Sequence, residues 1–302
     1  MKKSSVQKLL QPYVVRDGSR FHLENIDPDD TGKSRATKAS AGDLLQEGVD
    51  RLRELQEKLY AQDQWGVLLI FQALDAAGKD SAIKHVMSGV NPQGCQVFSF
   101  KQPSNEELDH DFLWRAQRRL PERGRIGIFN RSYYEEVLVV RVHPELLRKQ
   151  NLPPALVTKR IWDERFEDIA AFERYLTRNG YVIRKFFLHM SRKEQLQRFQ
   201  KRLDQPEKNW KFSVGDVRES EHWKDYQKAY EDVIRRTAAP HAPWVVVPAD
   251  KKWFARLVVA AAIIDALEGL NLAFPTIDDA RRAELEVGRA MVKKAMRGAS
   301  NG

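Results

Sequence analysis

A glycine–lysine pair follows the first strongly apolar segment of the chain. Gly78 and Lys79 come shortly after the run 67–71, which is typical of a buried strand, and a helical pattern begins at Lys79. At a strand-to-helix turn of this kind, backbone N–H groups at the helix start bind phosphate oxygens, and the lysine adds a positive charge. The pattern therefore predicts a phosphate-binding loop over residues 72–81.

The loop departs from the general pattern G-x-x-x-x-G-K-[ST] at two positions. Ala73 replaces the first glycine, and Asp80 replaces the hydroxyl residue, with Ser81 one position later. Asp75 lies inside the loop, where a carboxylate beside bound anions is unfavourable unless it holds a cation, so it indicates a divalent metal ion. The alternative is an ordinary tight turn that carries a surface lysine.

A second short apolar run, 126–129, ends in Asn130 and Arg131. A guanidinium at the end of a neighbouring strand can donate two hydrogen bonds to one phosphate group. Arg131 is therefore a candidate clamp for a phosphoryl group in transfer. The alternative is a surface arginine at the start of a helix.

The segment 184–212 carries an unusual excess of positive charge. It holds nine cations against three acids, which is +6 of the net +9 of the whole chain. Arg198 and Arg202 share one helix face at i, i+4, and a polar loop follows at 204–211. This combination predicts a lid that closes on a polyanion, whereas the alternative is a solvated helix face.

The overall composition agrees with an anionic partner. The 302 residues include 51 Lys and Arg against 42 Asp and Glu, and the isoelectric point is about 9.5. The single cysteine, Cys95, excludes an intramolecular disulfide framework. Apolar runs stay well short of the ~20 residues that a membrane helix needs. We therefore expect a cytoplasmic protein without a membrane partner.

Apolar runs alternate with helical patterns, which predicts an α/β fold with a parallel sheet covered by helices on both faces. Residues 1–41 are polar and irregular, and they predict an extended N-terminal arm. A core domain is expected over 42–272, with a lid at about 191–215, and a C-terminal helical extension over 273–302. The predicted strands are 67–71, 97–100, 126–129, 181–188 and 244–247. The predicted helices are 42–60, 79–88, 106–120, 133–147, 154–178, one from Ser191 onward, 250–270 and 276–298.

Several motifs together resemble one known family, the polyphosphate kinase 2 family. The matching segments are ALDAAGKD at 73–80, VNPQG at 90–94, FNRSYYEEVLVVRV at 129–142, KFFLHMS at 185–191, PEKNWKF at 206–212 and APW at 242–244. Residues 27–31 also match, so the resemblance covers about residues 25–272. The two departures from the general phosphate loop are normal in this family, whereas the helix beyond about 276 is not explained by it.

The resemblance implies a thymidylate-kinase-like phosphate-loop core. It implies phosphoryl transfer between inorganic polyphosphate and AMP, ADP or their guanine equivalents, with Mg²⁺ or Mn²⁺, in a homodimer or homotetramer and without nucleic acid as a partner. Asn130, Arg131, Ser132, Tyr134 and Glu135 resemble the subgroup that phosphorylates both nucleoside mono- and diphosphates.

The residue chemistry and the resemblance together assign roles to the candidate residues. Asp75, Lys79 and Arg131 are the expected catalytic residues. The expected nucleotide- or phosphate-binding residues are Ala76, Ala77, Gly78, Asp80, Ser81, Asn130 and Glu135. The expected polyphosphate ligands are Lys185, Arg192, Arg198, Arg202, Lys208 and Lys211. Asp75 and Glu135 are the expected metal ligands.

Two other functions stay open from the sequence. One is an ATP-dependent nucleotide kinase on the same core, and the other is a basic nucleic-acid-binding protein without catalysis. The second predicts strongly salt-dependent nucleic-acid binding. The Gly78–Lys79 loop argues against it, because a pure binding protein has no need of such a loop.

Overall fold

One sheet of six strands lies at the centre of the computed structural model, which describes residues 3–32 and 36–299. The strands are β1 (Val14–Val15), β2 (Gly66–Gln72), β3 (Cys95–Ser99), β4 (Ile126–Asn130), β5 (Tyr181–His189) and β6 (Trp244–Pro248). Their order is β1-β6-β5-β2-β4-β3. Neighbouring strands run parallel, except that β1 is antiparallel to β6. The predicted parallel sheet is confirmed, with a short antiparallel edge strand added.

Helices connect the strands and follow the last of them. They are α1 (Lys3–Leu10), α2 (Ala41–Gln62), α3 (Lys79–Val86), α4 (Asn105–Leu108), α5 (Trp114–Gln117), α6 (Val139–Val142), α7 (Ile161–Arg178), α8 (Arg192–Asp204), α9 (Pro206–Asn209), α10 (Val214–Glu219), α11 (Trp223–Thr237), α12 (Lys252–Glu268) and α13 (Asp279–Ala299). Short 3₁₀ segments lie at Gln11–Tyr13, Leu23–Asn25, Pro92–Gly94, Tyr133–Val137, Pro144–Lys149, Pro154–Leu156 and Ser220–His222. None of the described helices is long and apolar enough to cross a membrane.

Helices cover both faces of the sheet. Alternate residues of a strand point to opposite faces. In β2, Leu69 and Phe71 pack into the core that contains α2, α3 and α12, whereas Leu68 and Ile70 pack into the core that contains α7 and α11. Because β2 is buried on both faces, its sequence is a continuous apolar run rather than an alternating one.

The prediction of an extended arm over 1–41 is wrong for much of the segment. α1 packs against α12 and buries Val6, Leu9 and Leu10 in the same core as α2. These apolar residues recur at helical spacing within a short and otherwise polar helix. The contacts that hold the arm in place come from distant parts of the chain, so local composition alone did not reveal them.

Two predicted long helices are broken into short pieces. Within 106–120, the Asp111 carboxylate accepts a hydrogen bond from the Leu113 N–H at 2.9 Å, a local bond that competes with the helix. Within 133–147, Pro144 begins a new 3₁₀ segment, and His143 before it is not helical, with φ −118° and ψ 74°. Apolar spacing at a helical period therefore did not secure a continuous helix in either segment.

A buried ion pair joins β5 to α7. The Lys185 ammonium is completely buried and donates to the Glu173 carboxylate at 2.6 Å and to the Thr237 carbonyl at 2.7 Å. The same carboxylate accepts hydrogen bonds from the hydroxyls of Tyr133 and Tyr134. The prediction that Lys185 binds polyphosphate is therefore wrong, because the side chain points into the core beside Trp244.

The chain divides into two units, at Leu272 and Ala273. The second unit contains α13, which corresponds to the helix predicted at 276–298. All strands and the helices α1 to α12 belong to the first unit. The candidate site is therefore built from the first unit alone.

We expect Glu173→Gln to lower the free energy of unfolding by about 3–5 kcal/mol, because it leaves the Lys185 charge buried without a counter-ion. The measurement is urea denaturation followed by circular dichroism. Lys193→Met is the matched control, since Lys193 lies exposed on α8, and we expect its effect to stay within about 0.5 kcal/mol. Equal effects of the two substitutions would show that the buried pair is not needed for stability.

Candidate functional site

The carboxyl end of β2 is the point where the order of the strands in the sheet reverses. β2 lies between β5 and β4, and the chain leaves β2 to build β3 and β4 on one side before β5 and β6 on the other. In open α/β sheets, ligands bind in the crevice outside the strand ends at such a point. The loop 73–78 joins β2 to α3 at this crevice.

The loop has the backbone of an anion-binding turn. Gly78 precedes α3 with φ +101°, a conformation that favours glycine, and Ala76 also has a positive φ of 65°. No side chain caps the first turn of α3, so its leading N–H groups are available to a ligand. The Lys79 ammonium donates to the Ala73 carbonyl at 2.9 Å, across the base of the loop.

Arg198, on α8, stabilises this loop through hydrogen bonds to its backbone. Its guanidinium donates to the carbonyls of Ala76 at 3.1 Å and Ala77 at 2.7 Å, and also to those of Ala249 at 2.6 Å and Asp250 at 3.0 Å. The peptide that joins Ala77 to Gly78 is planar and trans, so the Gly78 N–H points away from Arg198. The arginine therefore orients the loop.

Arg131 lies at the adjacent end of β4 between two carboxylates. Its guanidinium contacts Asp75 at 2.9 Å and Glu135 at 3.3 Å. Glu135 and, to a smaller extent, Asp75 raise the pKa of Arg131, although burial opposes them. Burial in turn raises the pKa of Glu135. The backbone of Arg131 has φ +64°, a strained conformation of the kind found at functional sites.

The polar residues at the start of α3 are also held in place. The Asn130 amide donates to the Asp80 carboxylate at 2.6 Å, which ties the end of β4 to the first turn of α3. The Ser81 hydroxyl accepts a hydrogen bond from Arg256 at 3.0 Å. These contacts leave the backbone of the loop, rather than its hydroxyl and amide side chains, to face a ligand.

A groove of about 890 Å³ begins at this loop, and its charged lining residues are mainly cations. We call it the cationic groove. Its charged lining residues are ten cations (Lys79, Lys84, Lys101, Arg131, Arg198, Lys201, Arg202, Lys208, Lys211 and Lys252) and two acids (Asp75 and Asp80). Burial lowers the pKa of Lys252, and the neighbouring charge of Arg198 lowers it further. A groove with this charge balance favours a polyanion over a neutral ligand.

The structure brings together most of the residues that the sequence singled out. Asp75 to Ser81, Asn130, Arg131, Arg198, Arg202, Lys208 and Lys211 all line the cationic groove. Arg192 does not line this groove but faces another cavity. Glu135 reaches the groove only through its ion pair with Arg131.

Four lysines of the groove were not among the predicted ligands. They are Lys84, Lys101, Lys201 and Lys252, of which Lys201 belongs to the basic segment 184–212. Lys101 and Lys252 come shortly after the carboxyl ends of β3 and β6. That position relative to the strands was the available signal, because the carboxyl ends of parallel strands share one edge of the sheet.

Asp75 has the chemistry of a Mg²⁺ ligand. Its carboxylate is about a quarter exposed, at 26%, and it lines the groove beside the loop. Among residues 3–32 and 36–299, no group of three or more His, Cys, Asp or Glu side chains could hold a metal ion. Mg²⁺ commonly uses one or two carboxylates together with substrate phosphates, so one carboxylate fits this mode of binding.

We expect Arg198→Lys to weaken the contacts that hold the loop. The lysine ammonium has three N–H donors, whereas the planar arginine guanidinium has five and contacts four carbonyl oxygens. Buried carbonyls that lose a partner cost about 1–3 kcal/mol. Amide hydrogen exchange in a peptide covering 73–80 should therefore accelerate by about tenfold or more. Arg202→Lys is the control, because the Arg202 guanidinium donates to the Lys211 carbonyl and the Asp216 carboxylate and, among the described residues, to no carbonyl of the loop 73–78. An unchanged rate of amide hydrogen exchange in Arg198→Lys would show that this arginine does not stabilise the loop.

Comparison with known proteins identifies relatives over most of the chain. A family model described as polyphosphate kinase 2 matches residues 35–275. An ADP-polyphosphate phosphotransferase of Rhodopseudomonas palustris is 54% identical over 244 residues, which are 80% of this chain and 84% of the relative. An AMP/ADP-polyphosphate phosphotransferase of Meiothermus ruber is 45% identical over 266 residues, 88% of this chain and 96% of the relative.

A solved structure shares the fold. The crystal structure of polyphosphate kinase 2 from Arthrobacter aurescens superimposes with a TM-score of 0.83 at 41% identity, and the match covers 91% of this chain and 95% of that chain. The family match spans both the loop at the end of β2 and the basic segment of the groove. On this evidence, the chain belongs to the polyphosphate kinase 2 family.

Proposed function

We propose that this protein transfers a phosphoryl group between inorganic polyphosphate and nucleoside mono- or diphosphates, so that AMP gives ADP and ADP gives ATP. The observation that carries the proposal is the cationic groove. Ten cations and two acids line it, together with the loop at the end of β2. A linear phosphate polymer matches a groove whose charged lining is mainly positive. The names of the two relatives, an ADP- and an AMP/ADP-polyphosphate phosphotransferase, support the same substrates.

In this reaction the nucleophile is a terminal phosphate oxygen of the acceptor nucleotide. That oxygen is already an anion, so the reaction needs no general base. A new P–O bond forms to the terminal phosphorus of the polymer, and the bond from that phosphorus to its bridging oxygen breaks. The polymer leaves one unit shorter and keeps the electron pair on its new terminal oxygen. Catalysis then depends on positioning and on neutralisation of charge.

The residues of the site supply those two requirements. The N–H groups of the loop and the Lys79 ammonium hold the donor phosphates, and burial, which lowers the pKa of Lys79, also strengthens its interaction with an anion. Arg131 contacts the phosphates of donor and acceptor, because its fork lies at the end of β4 next to the loop. The segment 191–215 acts as the lid, and it brings Arg202, Lys208 and Lys211 to the polymer.

We assign Mg²⁺ as the metal and Asp75 as its ligand on the protein. When bound, the ion neutralises charge on the phosphates that it contacts. Glu135 is a second candidate ligand. Both carboxylates contact Arg131, so they also fix the direction of its guanidinium.

The acceptor range is proposed to include both AMP and ADP. Glu135 is the residue that we assign to this choice, because its partly buried carboxylate contacts the same guanidinium that faces the acceptor. AMP has a single phosphate, so its transfer depends most strongly on the position of that guanidinium.

Lys79→Ala should lower kcat/KM for ATP formation from polyphosphate and ADP by about 100-fold or more, because a charged donor to the transferring group is lost. The measurement is a coupled assay of ATP formation with polyphosphate as the sole donor. Lys193→Ala, on the exposed side of α8, is the control and should keep full activity. Near-normal transfer by Lys79→Ala would refute the assigned role of the loop. An enzyme that phosphorylated AMP from ATP but not from polyphosphate would instead be an ATP-dependent kinase.

Glu135→Asn should lower kcat/KM for AMP about tenfold relative to that for ADP, because Arg131 loses one of its two carboxylate partners. Chromatographic analysis of the nucleotides formed from each acceptor gives this ratio. Glu57→Gln, an exposed acid on α2, is the control for a general loss of charge. A ratio that stays constant in Glu135→Asn would show that this carboxylate has no part in acceptor choice.

A further inference from the structure

Arg202 lies near the end of α8 and lines the cationic groove. Its Nη1 atom donates both of its hydrogen bonds, to the Lys211 carbonyl at 3.0 Å and to the Asp216 carboxylate at 3.0 Å. Among the residues that the structure describes, its Nε and Nη2 atoms have no hydrogen-bond partner. One end of the guanidinium is therefore held by the protein, and the other end keeps N–H donors for an anion.

The turn that follows α8 is fixed by hydrogen bonds of its own. The Asn209 amide donates to two carbonyls in the last turn of α8, those of Arg202 at 2.7 Å and Leu203 at 2.8 Å. These carbonyls have no partner within the helix, so a side chain from outside satisfies them. The Lys211 N–H donates to the Lys208 carbonyl at 3.0 Å. Both lysines are therefore held in a defined position relative to the end of α8.

α10, which carries Asp216, is anchored at its carboxyl end. Glu219, the last residue of α10, accepts a hydrogen bond from the Tyr226 hydroxyl on α11. The same carboxylate lies 2.7 Å from Nε2 of His143. Asp216 lies about one turn earlier on this short helix. Arg202 is therefore connected through Asp216 to a helix whose own position is set by α11.

The charge of Asp216 by itself opposes the binding of an anion nearby. Burial and, next, the charge of Asp75 raise the pKa of Asp216, whereas Arg202 and Arg131 lower it. The carboxylate is thus within electrostatic reach of residues at the ends of β2 and β4. A carboxylate so close to a phosphate site weakens phosphate binding through repulsion, unless its contact with a cation compensates for that repulsion.

We propose that Asp216 is a positioning residue for the phosphate polymer and that it acts by holding the Arg202 guanidinium in the cationic groove. The carboxylate takes one end of the guanidinium, so the free N–H groups are oriented before the phosphates bind. Because α10 is anchored to α11, the same contact also limits the movement of the end of α8. This inference rests on the proposed function, since it concerns the polyphosphate that serves as donor in that reaction.

Two substitutions of Asp216 separate positioning from charge. Asp216→Ala removes the charge and the acceptor for Arg202, whereas Asp216→Asn removes the same charge but keeps a carbonyl oxygen as acceptor. Asp216→Ala should raise the KM for polyphosphate about tenfold, because a charge-assisted hydrogen bond is lost, and Asp216→Asn should stay within about threefold of wild type. In both variants, kcat and the KM for ADP should stay within about twofold of wild type, because the contact acts on binding of the polymer alone. The measurement is a coupled assay of ATP formation over a series of polyphosphate concentrations.

Glu207→Gln is the matched control, because Glu207 is an exposed acid of the same lid whose carboxylate makes no hydrogen bond or ion pair with a described residue. Loss of its charge should leave the KM for polyphosphate unchanged or lower it. A fall in this KM in both Asp216 variants would show that Asp216 is only a repelling charge. An equal rise in both would show an effect of charge without a hydrogen bond. Either result would overturn the proposal.

A double-variant cycle gives a second test. In an Arg202→Ala background, Asp216→Ala should change the KM for polyphosphate by less than about twofold, because the two residues act through one contact. Independent effects of the two substitutions would contradict the proposal. If Asp216→Ala does not fold, Asp216→Ser takes its place in both tests, since its shorter side chain also loses the contact with Arg202.

The proposed function and the role of Asp216 can fail separately. If wild-type enzyme transfers no phosphate from polyphosphate, the proposed function fails. Calorimetric titration of polyphosphate into wild type, Asp216→Ala and Asp216→Asn then still tests Asp216. Weaker binding in Asp216→Ala than in the other two proteins supports the positioning role, and equal binding in all three overturns it.

Discussion

The guanidinium of Arg198 is the contact on which the candidate site depends. It makes five hydrogen bonds, one to Glu194 on its own helix and four to backbone carbonyls of the loops that follow β2 and β6. A single buried cation thereby sets the distance between two strand ends and the basic helix α8. Because the carbonyls of the β2 loop turn towards this cation, the N–H groups at the start of α3 remain free for phosphate. The geometry of the β2 loop and the position of α8 are therefore coupled through one side chain.

The positive charges of the chain differ in how deeply they are buried and in which acids they contact. Lys185 is enclosed in the core with Glu173, where its charge is fully compensated. The lysines of the cationic groove have few acidic partners within it, which favours an anionic ligand there. Arg131 lies between these extremes, since Asp75 and Glu135 hold it while 38% of its side chain remains exposed. A guanidinium held in this way is already oriented before any ligand binds.

The sequence indicated the fold and the loop well but assigned individual cations less well. Gly78 and Lys79 were recognisable because the conformational need for glycine and the charge of lysine act locally, next to a continuous apolar strand. Lys185 and Arg198 lay in the same basic segment, and nothing in their local sequence distinguishes a core lysine, a loop support and a ligand of a polyanion. Lys101 and Lys252 were not predicted for a different reason, because they lie outside the basic segment and enter the groove only when β3 and β6 take their places in the sheet.

The sequence by itself determined the positions of the five parallel strands, the position of the β2 loop and the excess of positive charge. These properties depend on local spacing and composition, and the resemblance to the polyphosphate kinase 2 family follows from the same short motifs. Only the tertiary structure decided which cations share one groove, that Arg192 lines a different cavity, and that α1 packs on α12. Those outcomes depend on burial and on contacts between residues far apart in sequence, such as Arg198 with Ala77, which no local pattern encodes.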